Sequence, residues 1–124
     1  MGFSIFRSDT REWSEPSGGD LKRGILRLSD DMIQMRANVW RLPPGSRGRR
    51  HAEKVQEEMF VVLNGTMTLA LGDPPQMIEL SRGSIAVVEP GTALQVRNDG
   101  AEEADVLIVG APPETGQADY LPDA

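Results

Sequence analysis

The chain contains no cysteine and only one histidine, His51. The first absence excludes disulfide staples and thiolate metal sites, and it is compatible with a reducing compartment. The second excludes any site built on two or three imidazoles of one chain. Long apolar runs are missing too, since nothing approaches the roughly 18 residues a membrane span needs. The opening residues, Met-Gly-Phe-Ser-Ile-Phe-Arg-Ser-Asp, hold no apolar stretch of signal-peptide length. A soluble, cytoplasmic protein without a membrane partner is therefore expected. Positive charge is also scarce: 13 Lys and Arg stand against 19 Asp and Glu, a net charge of −6. That balance argues against a nucleic-acid partner. Amphipathic helical runs are few.

What the chain does have is punctuation. Its 13 Gly and 9 Pro, spread over 124 residues, cut it into short segments of strand character. Strands are predicted at 3–6, 21–28, 33–42, 59–63, 66–71, 77–80, 85–88, 94–97 and 106–109. Turn sequences separate them, among them Pro43-Pro44-Gly45, Ser81-Arg82-Gly83, Glu89-Pro90-Gly91 and Asn98-Asp99-Gly100. Asn64-Gly65 is the strongest short-range hairpin signal of the set. So many short strands in one small domain predict an all-β sandwich or closed barrel. A closed jelly roll has the merit of removing exposed edges. The expected division is an N-terminal arm at 1–20, a barrel at 21–110 and an irregular tail at 111–124.

Candidate chemistry gathers around the lone histidine. On a strand, His51 and Glu53 share a face, and Glu58, Phe60 and Val62 share a face of the next strand. Hairpin-like pairing of the two would set Glu58 beside the other two. One imidazole with two carboxylates suits Mn, Fe or Mg better than Zn. The same residues also read as a solvated loop followed by an exposed strand start. Upstream, Gln34, Arg36, Asn38, Trp40 and Leu42 share one strand face, a mixture fitting either a ligand pocket or a solvent face. Arg47, Arg49 and Arg50 form either an anion-steering cluster or a solvated one. Met59, Val61 and Leu63 oppose Glu58 and point outward, needing cover from the arm or a second subunit. A homodimer is expected on that ground.

Two stretches carry a family resemblance. Gly45-Ser-Arg-Gly-Arg-Arg-His51-Ala-Glu53, followed by Glu58 and Gly65, resembles the first cupin motif. Gly83, Pro90-Gly91, Leu94 and Asn98 resemble the second, with one extra residue between Gly83 and Pro90. The resemblance implies a cupin jelly-roll (double-stranded β-helix) barrel of the small single-domain kind, often dimeric. His51 and Glu58 match the family's first histidine and its glutamate. Glu53 and Leu94 stand where the family carries two further histidine ligands. The implied site is therefore degenerate: His51, Glu53 and Glu58 as ligands to at most a weakly bound Mn, Fe or Mg. Phe60 and Leu94 are expected in the cavity wall, alongside Arg36 and its neighbours. The leading functional expectation is a barrel that binds a small polar or acidic molecule. The alternatives are an isomerase or lyase using Glu58 or Glu53 with His51 for acid–base chemistry, and a metal-dependent oxygenase.

Overall fold

A computed structural model of the chain describes residues 2–9, 12–14, 24–113 and 117–124. Among these, ten strands follow in order: β1 (Gly24–Arg27), β2 (Arg36–Leu42), β3 (His51–Glu53), β4 (Glu57–Asn64) and β5 (Thr66–Leu71), then β6 (Gln76–Ser81), β7 (Ile85–Val88), β8 (Ala93–Arg97), β9 (Ala104–Ala111) and β10 (Ala118–Tyr120). One five-stranded antiparallel sheet has the order β1-β2-β9-β4-β7, and a second runs β10-β3-β8-β5-β6. The two face each other as an all-β jelly roll. The helical content among the described residues is one 3-10 turn at Ser29–Asp31, and no helix is long and apolar enough to cross a membrane.

Strand alternation builds the interior. Phe60 and Val62 of β4 are 1% exposed and meet Met67, Leu69, Leu94 and Val106 from other strands in one core cluster. Burying Phe60 alone contributes about 3 kcal/mol. The opposite face of β4 behaves as the alternation requires: Met59 is 37% and Leu63 39% exposed. The described part of the arm docks elsewhere, at β1, where Ser14 bridges Ile25 and the Arg41 guanidinium lies 4.1 Å over the Trp13 ring.

Asn64-Gly65 does not close a hairpin. β4 pairs with β7 and β9, whereas β5 pairs with β6 and β8, so the dipeptide is a corner where the chain passes between sheets. Gly65, at φ 73°, is required there, because a Cβ would lie 2.5 Å from the Glu103 carbonyl oxygen. The paired hairpin is instead β5–β6, closed around Gly72.

Other expectations shift as well. Residues 3–6 form no strand, and β2 begins at Arg36 rather than at 33. Residues 21–23 of the first expected barrel strand, and 10–11 and 15–20 of the arm, lie outside the described residues. The tail, expected to be irregular, contributes β10, which pairs with β3 so that Tyr120 stands opposite His51. Side chains and backbone of the barrel hold it: Leu121 N–H donates to the Arg50 carbonyl at 2.9 Å, and Ala124 N–H to Gln95 Oε1 at 3.1 Å. Those partners come from distant segments, so local composition does not reveal them.

Candidate metal centre and ligand cavity

His51 and Glu53, two apart on β3, turn the same way. Backbone bonding secures the strand on both sides, through β8 and β10 and through a 2.7 Å bond from Gly91 N–H to the Glu53 carbonyl. Glu58 reaches them from β4 in the opposite sheet. The approach is across the barrel, not along the hairpin-like pair expected from sequence, because β3 and β4 join different sheets. His51 Nε2 lies 3.1 Å from Glu53 Oε2 and 3.9 Å from Glu58 Oε1. One ligand atom from each of the three falls within 4.8 Å of the others.

The imidazole's far nitrogen defines its state. His51 Nδ1 is 2.9 Å from the Arg49 carbonyl oxygen, which only accepts, so Nδ1 carries a hydrogen and donates. In the neutral ring Nε2 then presents a lone pair toward two carboxylates. Acceptors this close need a proton or a metal ion between them. Glu58 sharpens the demand: Oε1 is buried without a hydrogen-bond partner. Burial pushes the Glu58 carboxyl above the usual carboxylate range, and the neighbouring Glu53 charge adds to this; His51 and Arg36 pull the other way. An orphaned carboxylate oxygen, a second carboxylate and a tautomer-fixed imidazole form a donor set that fits a hard divalent cation. Such a cation would be held by His51, Glu53 and Glu58, and would act there as a Lewis acid on a ligand oxygen.

The three acid–base groups sit in a cavity of about 270 Å³. Of the residues expected to line it, Arg36, Asn38, Trp40, Phe60 and Leu94 do so. Gln34 does not: it lies in the exposed bend before β2, where the strand alternation that would group it with Arg36 has not begun. Asn38 is committed to structure, its Oδ1 accepting from Leu28 N–H at 3.2 Å and Ser29 Oγ at 3.1 Å. Leu94 pairs in register with His51 across the β3–β8 ladder.

Several lining residues had no sequence signal. Gln56 packs against Gly110, where a Cβ would meet Gln56 Oε1 at 2.9 Å, and both line the cavity. Tyr120 enters from β10, and nothing local marks a lone tyrosine in a Pro-rich tail. The arginine cluster divides by role. Arg50 is buried and donates to the Pro122 and Gly72 carbonyls at 3.1 and 3.0 Å. Arg47 lies 4.0 Å from Asp123, and Arg49 stacks 3.6 Å over the Tyr120 ring at the cavity.

A two-sheet jelly roll with an imidazole–carboxylate cluster facing its interior defines the double-stranded β-helix class. The Cupin domain family model matches residues 38–110, and the chain belongs to that family. No curated protein sequence matches it. Among solved structures, the chain is similar to the polyketide cyclase RemF from Streptomyces resistomycificus, with a TM-score of 0.81 at 20% identity, covering 100% of this chain and 88% of that one. It is also similar to a predicted oxalate decarboxylase from Thermotoga maritima, with a TM-score of 0.78 at 20% identity, covering 88% and 99%. A third is a sugar phosphate isomerase of the cupin superfamily from Silicibacter pomeroyi, with a TM-score of 0.75 at 20% identity, covering 95% and 92%. At such identities the likeness concerns the fold. The differing activities in their names accord with one barrel hosting many chemistries.

Proposed function

We propose that the barrel binds a small polar or acidic molecule beside a weakly held divalent metal on His51, Glu53 and Glu58. The observation that carries the reading is the contact between His51 Nε2 and two carboxylates, one of whose oxygens is buried and unpartnered. Two carboxylates among three donors favour Mn, Fe or Mg over Zn. Leu94 contributes an apolar wall beside His51 in place of a fourth donor, so affinity is low and coordination positions stay open to a ligand. Calorimetric titration with Mn²⁺ tests this: binding is expected in the wild type and abolished in His51→Ala. Absence of binding in the wild type overturns the metal assignment.

A second reading has one observation in its favour, the raised pKa of Glu58. A desolvated carboxyl beside an imidazole suits proton transfer, which makes Glu58 the base and His51 its partner in an isomerase- or lyase-type reaction. Loss of turnover in Glu58→Gln with ligand binding retained, and turnover that survives chelation, would favour this reading over metal-assisted binding.

A further inference from the structure

We infer that the cavity reads a small carboxylic acid through two guanidinium groups, Arg36 from one sheet and Arg49 at the lead-in to β3 of the other. This deepens the ligand reading above and rests on it for the cavity, not for the metal.

Four observations lead there. Both side chains line the same cavity as the His51 cluster. Among the described residues neither has a carboxylate within ion-pair distance, whereas Arg41, Arg50 and Arg97 each hold one, to Asp105, Asp73 and Asp99. Arg49 is also held in place by Tyr120, whose ring lies 3.6 Å beneath its guanidinium carbon. Stacking satisfies the face of the guanidinium and leaves its planar N–H edge for a ligand, the geometry that matches a carboxylate. Finally, the two guanidinium charges offset those of Glu53 and Glu58, so a carboxylate entering the cavity meets no net negative charge there.

Size and long-range charge narrow the class. A volume of about 270 Å³ lies at the lower end of the range for ligand pockets, so the acid is small. Trp40, Phe60 and Leu94 provide apolar wall for a carbon skeleton. The protein as a whole carries −6 and repels anions, so an acid needs local positive charge to enter.

Benzoate and its neutral isostere benzamide separate charge recognition from shape. Calorimetry on the full chain, with Mn²⁺ and again with chelator, is expected to give at least tenfold tighter binding of benzoate. Arg36→Met and Arg49→Met should each erode that preference at least fivefold. Arg36→Met should hold or tighten Mn²⁺ binding at the same time, because it removes a cation acting on Glu58. Arg49 is exposed, so Arg49→Met leaves the core intact and serves should Arg36→Met fail to fold. Equal affinity for the two compounds, no binding of benzoate, or a preference that survives in the variants overturns the proposal. If wild type fails to bind Mn²⁺ yet retains an arginine-dependent preference for benzoate, the metal assignment falls and the acid reader stands. The converse result leaves the metal and removes the reader.

Discussion

Leu94 stands in register with His51 on the adjacent strand, is 1% exposed, and lines the same cavity as the two glutamates. A leucine directly beside the only imidazole withholds a donor and packs into the core cluster with Phe60 and Val62.

Leu94→His is expected to tighten Mn²⁺ binding at least tenfold by supplying a fourth donor, about 1.4 kcal/mol. In the metal-free protein the same change buries a polar ring among apolar neighbours, so the melting temperature falls. Saturating Mn²⁺ restores it, since 100-fold excess over Kd contributes about 2.7 kcal/mol. Unchanged affinity in a folded variant would mean that residue 94 does not reach the metal.

Glu58 sets a pH dependence. Its folded carboxyl titrates above its ordinary value of 4.5, because burial disfavours the charged form. Between that value and the raised one, the native state binds more protons than the unfolded state. The contribution to stability is therefore complete below 4.5 and is lost as pH rises through the folded pKa. Urea midpoints in chelator should fall with rising pH across this window, and Glu58→Gln should flatten that fall.

Asn98 is a structural latch rather than a ligand. Fully buried, it donates from Nδ2 to the Leu42 and Glu102 carbonyls at 2.9 and 2.8 Å, and accepts from Gly100 N–H at 3.0 Å. Asn98→Ala is expected to cost about 2 kcal/mol by leaving these groups unpaired. Chemical denaturation measures the loss, and Mn²⁺ affinity should stay as in wild type because Asn98 lies outside the cavity lining.

Self-association is expected through the outer face of β4 and β7. Met59 pairs with Val87 and Val61 with Ile85 in register, and Val87 and Ile85 are 63% and 60% exposed. Such a row on a sheet face fits a second copy of the chain better than water. Light scattering at micromolar concentration should give a dimer mass, reduced to monomer in Met59→Glu/Val87→Glu. A monomeric wild type rejects the interface.

Local pattern was enough for much of this molecule. The period-two alternation of β4 decides by itself that Glu58, Phe60 and Val62 face inward while Met59 and Leu63 face out, because successive side chains of a strand point to opposite sides. The spacing of His51 and Glu53 places both on one face for the same reason, and Gly and Pro punctuation marks the strand ends closely. Pairing partners are not local. Whether Asn64-Gly65 joins two paired strands or turns a corner depends on what lies behind Gly65, and that is the start of β9, some forty residues later in the chain. The same ignorance of partners hid the approach of Glu58 across the barrel and the return of the tail as β10. Sequence determined which faces the side chains take, since that follows from backbone geometry within a few residues. Tertiary structure alone decided which faces meet, and with them the route by which Glu58 reaches His51 and Glu53, the exclusion of Gln34 and the presence of Tyr120, since these depend on strand pairing between distant segments.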